Sequence, residues 1–311
     1  MRSPNRTSLA TVALAALATL TACGSTAAPG TGPMITHPNA LRAVTPLSGP
    51  PSGTRAEAAA LARQLLARLI LPSGARRLPQ TPLPPALAGS WFAGAEVTPS
   101  LDQYELFALA QPMNAAAAFL AAHVPPGLGD GGTGGASGPG GPTLQDITYL
   151  DHQLPAGIVS AQLVLSVVPS SGGSLLRADA QVIWHPPRTA AEYIDPARYH
   201  ALTITVSVGG GRSHTVHKVV TSQPFIARLA DLLNRLPAEP LGTFGCPAIF
   251  AEYQVAFSAS PHSRPVVVIS FNETGCGGAG ITVNGRTQPA LEDNGRLAAL
   301  VDQMVKVTWQ L

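Results

Sequence analysis

The sequence predicts an α+β fold of two sheet-plus-helix modules with mostly antiparallel strands, preceded by a signal peptide and a flexible tether. Three observations support this fold class. Several short segments alternate apolar and polar side chains, which is typical of strands with one buried face. Other segments carry apolar residues at the spacing of an amphipathic helix. Hydrophobic residues make up 45% of the 311-residue chain, which is enough to build a core.

The first 22 residues have the layout of a secretory signal peptide. Arg2 and Arg6 precede an apolar run that ends at Leu20 and is shorter than the ~20 residues a membrane-spanning helix needs. Residues 20–23 are Leu-Thr-Ala-Cys, which matches a lipobox and predicts that Cys23 receives the lipid. The alternative is that Cys23 is an incidental residue of an ordinary signal peptide. Because two acyl chains give stable anchoring, we expect Cys23 to hold the protein on the extracytoplasmic face of the cell membrane.

Residues 23–52 are predicted to be a flexible tether. This segment is rich in Pro, Gly, Ser and Thr, and it shows neither helical nor strand periodicity. Chains of this composition act as extended spacers that prolines stiffen. The tether would hold the folded part of the chain away from the membrane surface.

The charge balance argues against a nucleic-acid partner. The chain has 19 basic and 17 acidic residues, for a net charge of +2. Removal of the signal peptide takes away Arg2 and Arg6, so the remaining chain has 17 of each sign. A nucleic-acid binder needs a surplus of Lys and Arg on one face. We therefore expect no nucleic-acid partner, but an unknown envelope partner or ligand and a membrane attachment through Cys23.

The first module is predicted to span residues 53–190. It opens with a helix whose start is indicated by Thr54 and Glu57, which fit a capping box. This helix is predicted to run to about Ile70. Residues 127–142 are almost wholly Gly, Pro, Ser and Thr, and they predict a mobile loop within this module. The other elements are a strand, a helix and three strands, at Tyr104–Leu109, Asn114–His123, Leu144–His152, Ile158–Val168 and Leu175–Trp184.

The last of these strands carries a polar stripe that is a candidate binding surface. Arg177, Asp179 and Gln181 alternate with apolar residues, which predicts that they share a face of the sheet that meets water. The other interpretation is that Arg177 and Asp179 form an ordinary ion pair on a solvated sheet. The second interpretation is favoured, because such patterns are common where a sheet has one wet face.

The second module is predicted to span residues 191–311, with a boundary in the proline-rich stretch 186–196. One continuous sheet across both modules is the alternative. The predicted elements are a hairpin around Gly209–Gly211, a helix, three strands and a final helix, at Leu202–Val208, His214–Thr221, Gln223–Leu236, Tyr253–Ser258, Val266–Phe271, Ile281–Asn284 and about Leu291–Val307. The strand Val266–Phe271 is apolar on both faces, which predicts a central position.

The three cysteines fit an exported lipoprotein. Lipid attachment would use Cys23, which leaves Cys246 and Cys276 to pair in an oxidising compartment. A disulfide between them would stabilise the second module by about 3 to 4 kcal/mol in the chain-entropy view. The alternative is that both are buried thiols.

No motif in the sequence predicts a metal, a cofactor or a catalytic reaction. His214 and His217 are three residues apart, but on a strand they point to opposite faces, and no carboxylate or thiol cluster lies near them in the sequence. No Gly-x-Ser-x-Gly elbow or His-Glu-x-x-His motif occurs. The sequence therefore favours a non-enzymatic binding or interaction module at the cell envelope. The alternative is an envelope hydrolase whose catalytic residues are distant in sequence.

The chain resembles a family of uncharacterised secreted lipoproteins of actinobacteria. The resemblance spans most of the chain after the signal peptide. It rests on short motifs, which are Leu20-Thr21-Ala22-Cys23, Leu71-Pro72-Ser73-Gly74-Ala75, the eight residues from Arg177 to Trp184, Leu233-Asn234-Arg235-Leu236-Pro237, and Cys246-Pro247 with Gly275-Cys276. The resemblance implies export and lipid attachment, and it implies no particular activity.

Overall fold

The computed structural model describes residues 49–83, 85–88, 97–138, 141–209, 214–242, 251–274 and 278–305. These residues all belong to one compact unit, Pro46–Leu311. The predicted signal peptide, most of the predicted tether and the three cysteines lie outside the described residues.

The described residues form four helices and twelve strands. The helices are α1 (Arg55–Arg68), α2 (Met113–Ala122), α3 (Gln223–Arg235) and α4 (Arg296–Val305). The strands are β1 (Arg76–Leu78), β2 (Ser100–Leu109), β3 (Leu128–Gly138), β4 (Gly141–Asp151), β5 (Ile158–Ser170), β6 (Gly173–Trp184), β7 (Ala201–Val208), β8 (His214–Val220), β9 (Ala251–Ser258), β10 (Val267–Asn272), β11 (Ala279–Val283) and β12 (Arg286–Leu291). Three single turns of 3-10 helix lie at Pro85–Leu87, Ala190–Glu192 and Pro196–Arg198.

The strands form two separate antiparallel sheets of six, which confirms the predicted α+β class with two sheet-plus-helix modules. The strand order is β1-β2-β6-β5-β4-β3 in the first sheet and β12-β11-β10-β9-β7-β8 in the second. Each sheet is built from a strand pair, a helix and a four-strand meander in the same order along the chain. In the first sheet the last strand of the meander, β6, pairs with β2. In the second sheet the first strand of the meander, β9, pairs with β7, so the two sheets are not simple copies.

Helix α1 begins where the sequence predicts. The Thr54 hydroxyl accepts from the Glu57 amide at 3.2 Å, and the Glu57 carboxylate accepts from the Thr54 amide at 2.8 Å. This capping box satisfies two amides that the first turn leaves without helical partners. Leu61 and Leu65 then pack with α2 against one face of the first sheet, in a core that includes Leu163.

The described residues of the glycine-rich segment 127–142 do not form the predicted mobile loop, and that prediction was wrong for them. Leu128–Gly138 form the edge strand β3, which pairs with β4, and residues 141–142 begin β4. The paired backbone requires glycine at two points. Gly132 has a φ of +109° beside a bulge, and a Cβ on Gly135 would lie 2.6 Å from the Leu144 carbonyl oxygen. Composition alone therefore misled the prediction, because these glycines serve strand pairing.

The second sheet has α3 and α4 on one face, in a core that includes Ile204, Phe257, Leu229 and Val301. Strand β10 is central in this sheet, as its apolar composition predicts. The last helix starts at Arg296 and not near Leu291, because Leu291 belongs to β12 and pairs with β11.

A buried arginine ties the connection between the sheets to the end of α3. The Arg188 guanidinium donates to the carbonyl oxygens of Leu233, Asn234 and Leu236 at 2.8, 3.2 and 2.9 Å. It also lies 3.6 Å from the carboxylate of Glu192, whose side chain is completely buried. Cations are favourable at helix C-termini, where the last carbonyls have no helical partner. Arg188 therefore holds the connection against the second module.

Candidate functional site

The second sheet carries helices on one face only, and hydrogen-bonding side chains dominate the other face. We call this surface the polar face, and it comprises Thr205, Ser207, His217, Glu252, Gln254, Ser270, Asn272 and Gly280. Their positions follow from the alternation of side chains along each strand, since the residues between them, such as Val206 and Val255, point into the helix-covered core.

Strand register places five of these residues in one line across the sheet. His217 pairs with Thr205, Thr205 with Gln254, Gln254 with Ser270, and Ser270 with Gly280. Neighbouring strands are about 4.8 Å apart, so this row is roughly 19 Å long. The arrangement is an extended row of polar groups that runs across the strands.

A second, shorter row lies beside the first. Ser207 pairs with Glu252, and Glu252 pairs with Asn272. Apart from His217, the residues of the two rows line a groove of about 540 Å³, whose wall also includes Gly278. This volume lies within the roughly 300–1,000 Å³ that is usual for small-ligand sites.

The chemistry of the groove suits an uncharged polar ligand. Hydroxyl and amide side chains can both donate and accept hydrogen bonds, and Glu252 adds the one carboxylate among the groove residues. Thr205 and His217 are already oriented, since the Thr205 hydroxyl and the His217 Nδ1 are 3.1 Å apart. Asn272 is also held in place, because its Oδ1 accepts from the amide and the hydroxyl of Thr274. Part of the site is thus fixed by bonds within the protein.

Gly280 leaves open space at one end of the longer row. A Cβ at this position would have its nearest neighbour, the Ser270 carbonyl oxygen, at 3.7 Å, which is an ordinary contact. The fold therefore does not require glycine at this exposed position. A larger side chain here would project over the groove.

The polar stripe on β6 is buried, and the prediction that it meets water was wrong. Arg177, Asp179 and Gln181 are 5%, 2% and 6% exposed. The segment around the 3-10 turn Pro85–Leu87 folds over this face of the first sheet, and the Leu87 carbonyl oxygen accepts from Arg177 Nη1 at 2.7 Å. That segment is rich in proline and has no periodicity, so the sequence does not show where it packs.

The ion pair that the sequence predicts between Arg177 and Asp179 does form in the interior. Arg177 Nε donates to Asp179 Oδ1 at 2.8 Å, and Arg177 Nη2 lies 2.6 Å from the same oxygen. The guanidinium also stacks on the ring of Tyr104, 4.4 Å from its centroid. Burial and the nearby Asp102 carboxylate raise the pKa of Asp179 to about 7, although Arg177 opposes this rise.

Asp102 connects this cluster to a second groove. Its side chain is 34% exposed and lies 3.9 Å from Arg177 Nη2. The groove has a volume of about 450 Å³ and is lined by residues that include Arg63, Arg77 and Tyr104. Asp179 itself is inaccessible, so Asp102 is the only member of the carboxylate pair that a ligand in this groove could reach.

A third group of titratable residues lies where the two modules meet. His185 Nδ1 lies 3.0 Å from the Ala238 carbonyl oxygen, and its Nε2 lies 3.2 Å from a carboxylate oxygen of Glu292. Burial and the Glu292 carboxylate raise the pKa of Glu239 to about 7. Within the described ranges, no three His, Cys, Asp or Glu residues are grouped so that they could hold a metal ion.

The residues that the sequence singles out do not come together in one described site. Cys23, Cys246 and Cys276 lie outside the described residues, so the lipidation and disulfide predictions stay predictions. Of the predicted strand histidines, His217 lies on the polar face. The side chain of His214 lies outside the part of the chain that the structure describes.

The polar face was missed by sequence reasoning, although part of its signal is visible. Thr203, Thr205 and Ser207 alternate with apolar residues on β7, and Glu252 and Gln254 do the same on β9. What the alternation does not show is that these strands are neighbours in the sheet. Only the register brings the two sets of polar residues into line.

Neither a protein-family model nor a curated protein nor a solved structure matches the chain. In the part of the chain that the structure describes, no helix is long and apolar enough to cross a membrane.

Proposed function

We propose that this protein is a lipid-anchored extracytoplasmic binding protein that holds an uncharged saccharide of the cell envelope on its polar face. The lipobox supports the location, and the row of hydroxyl and amide groups supports the ligand class. Saccharide hydroxyls both donate and accept hydrogen bonds, as do the side chains of Thr205, Gln254 and Ser270.

The observation that carries the ligand class is the row from His217 to Gly280. It lies on the face of the sheet, where the backbone groups are already used in strand pairing, so only side chains are available to a ligand. The groove residues include one carboxylate, that of Glu252, and no Lys or Arg, which disfavours phosphorylated or strongly acidic ligands. An elongated, neutral and hydroxyl-rich molecule matches both the length and the chemistry of the row.

Replacing Gly280 with leucine is expected to reduce saccharide binding at least tenfold without loss of stability. The new side chain would fill the groove, while its Cβ meets only an ordinary contact with the Ser270 carbonyl oxygen. Binding can be measured by isothermal titration with neutral oligosaccharides released from the cell envelope. Thermal unfolding checks that the variant is folded.

Gly172→Leu is the matched control, because a Cβ at Gly172 meets nothing within 4 Å and this residue lies in the turn between β5 and β6. The control should bind like the wild type. Equal binding by wild type and Gly280→Leu would contradict the polar face as the site, and no binding by the wild type would contradict the ligand class.

Replacing Cys23 with alanine is expected to move the protein from the membrane fraction to the soluble fraction. Without the thiol no diacylglyceryl group can be attached, and no other part of the described chain supplies a membrane span. Fractionation and immunoblotting of the two forms measure the shift. Membrane association that is unchanged in the variant would contradict the anchor, while leaving the saccharide site to be judged by its own test.

The described residues that follow Cys246 and precede Cys276 in the sequence lie close together, which supports the proposal that these two cysteines form a disulfide. The Ala251 amide donates to the Glu273 carboxylate at 2.7 Å, and the Glu273 amide donates to the Ala251 carbonyl oxygen at 3.2 Å. Cys246 and Cys276 are each only a few residues along the chain from this pair. Segments of that length can bring two Cα atoms to within the ~7 Å that a disulfide needs.

The Asp102–Asp179 pair is the observation that favours the second candidate, an envelope hydrolase. Carboxyl pairs with a raised pKa beside a groove are typical of acid-base catalysis. Two features weigh against it here, because Asp179 is 2% exposed and Arg177 occupies its carboxylate. Release of shorter saccharides during the binding experiment, and its loss in Asp102→Asn, would support the hydrolase.

A further inference from the structure

The four outer strands of the two sheets differ in how well they resist pairing with another chain. An edge strand exposes unpaired backbone groups, and proteins protect such edges with short strands, proline, lysine or bulges. Strand β1 has three residues, β12 contains Pro289, and β8 contains Lys218. Each of these three edges therefore carries at least one protective feature.

Strand β3 is different, because it is long and lacks these features over its central part. It has 11 residues, with no proline or lysine, and Asp130 is its one charged residue. Bulges occur between Asp130 and Gly132 and between Ala136 and Ser137, which leaves Gly132–Ala136 as a regular stretch. Within the described residues, no strand pairs with its outer edge. Residues 131–135 are all exposed.

We propose that β3 is a dimerisation edge, at which the strand pairs antiparallel with β3 of a second copy of this chain around Gly134. The pairing would join two first sheets into one continuous sheet of twelve strands. This interface does not depend on the lipid anchor or on the saccharide site.

The charge pattern of β3 favours a second copy as the partner. In a twofold pairing centred on Gly134, Thr133 faces Gly135, Gly132 faces Ala136, and Asp130 faces Gly138. The two Asp130 carboxylates would be roughly 27 Å apart at ~3.4 Å per residue, well beyond the screening length of about 8 Å at physiological salt. Self-pairing therefore brings no like charges together, and the uncharged central stretches of the two copies lie opposite each other, as a twofold interface allows. A charged partner segment would find no opposite charge along the central stretch.

Gly134 is the position at which the proposal can be tested with little risk to the fold. A Cβ at Gly134 meets nothing within 4 Å, so the fold itself accepts a side chain there. In the proposed pair the two copies of residue 134 face each other directly. Lysine at this position would oppose two positive charges, whereas valine would form a cross-strand pair that strands favour.

Sedimentation equilibrium of the full-length mature protein in density-matched detergent tests the proposal. We expect the wild type to be dimeric at micromolar concentration, Gly134→Val to remain so, and Gly134→Lys to raise the dimer dissociation constant at least about tenfold. Gly172→Lys adds the same charge at the turn between β5 and β6 and should behave like the wild type. Circular dichroism checks that all variants are folded.

A wild type that stays monomeric across this range would overturn the proposal and leave an extended segment of another protein as the alternative for this edge. A dimer that Gly134→Lys does not weaken, or that Gly134→Val weakens equally, would also overturn it. In either case the dimer interface would lie elsewhere or would not depend on charge at the centre of β3.

Discussion

Replacing Arg188 with alanine is expected to lower the free energy of unfolding by about 3–5 kcal/mol, because it breaks a buried ion pair and leaves one partner uncompensated. Arg188 and Glu192 have side chains that are 1% and 0% exposed. Without the guanidinium, the Glu192 carboxylate would remain in the interior with no cation beside it. The carbonyl oxygens of Leu233, Asn234 and Leu236 would also lose a donor at the end of α3.

Chemical denaturation at neutral pH measures this loss. Arg235→Ala is the matched control, since Arg235 lies at the same end of α3 and pairs with Asp231 at 2.7 Å, but both side chains are exposed. Exposed pairs contribute about 0–1 kcal/mol, so the control should unfold almost like the wild type. Similar losses in the two variants would show that burial of the Arg188–Glu192 pair does not determine how much this pair contributes to the free energy of unfolding.

Replacing Arg177 with methionine is expected to cost about 3–5 kcal/mol at pH 8 and clearly less at pH 5. At pH 8 the buried Asp179 of the wild type is ionised beside Arg177, so without Arg177 this carboxyl must either stay unpaired in the interior or take up a proton, and both cost free energy. The pKa of Asp179 is about 7 in the folded protein, so at pH 5 this carboxyl is already largely protonated. The variant then loses mainly the hydrogen bond to Leu87 and the packing on Tyr104.

The sign of this pH dependence follows from the two states of Asp179. Its pKa is raised on folding from an ordinary value near 3.8 to about 7, so the folded state binds more protons than the unfolded state between these values. The contribution of Asp179 to stability is therefore complete below pH 3.8 and is lost as the pH rises through about 7. Loss of Arg177 raises this pKa further, which extends the decline to higher pH.

Denaturation curves at pH 5 and pH 8 test this prediction. Arg77→Met is the control, because Arg77 pairs with Glu105 at the exposed edge of the same sheet and should change stability by less than about 1 kcal/mol at either pH. The double variant Arg177→Met/Asp179→Asn should lose most of the pH dependence. A loss of equal size at pH 5 and pH 8 in Arg177→Met would contradict the role of Asp179.

Local sequence patterns predict much of the secondary structure. The Thr54–Glu57 capping box predicts the start of α1, and the alternation in residues 158–184 predicts β5 and β6. These signals depend on neighbours within a few residues, which the sequence displays directly. The short strand β1 was missed because three residues carry too little periodicity.

The errors share a physical cause, which is that burial and pairing depend on distant parts of the chain. The stripe from Arg177 to Gln181 alternates like a wet face, but a proline-rich segment some 90 residues earlier covers it. Residues 128–138 have the composition of a loop, but β4 provides a backbone on which they form a strand. In both cases a contact distant in sequence overrides the local pattern.

The sequence by itself determined the α+β class, the order of most elements and the expectation of a lipid anchor at Cys23, because each is encoded in a short contiguous segment. Tertiary structure alone decided which polar side chains share a surface. The polar face draws on β7 to β11, and its rows exist only because strand register sets His217, Thr205, Gln254 and Ser270 side by side. Register is fixed by burial of the apolar side chains on the opposite face, and that burial is a property of the folded chain.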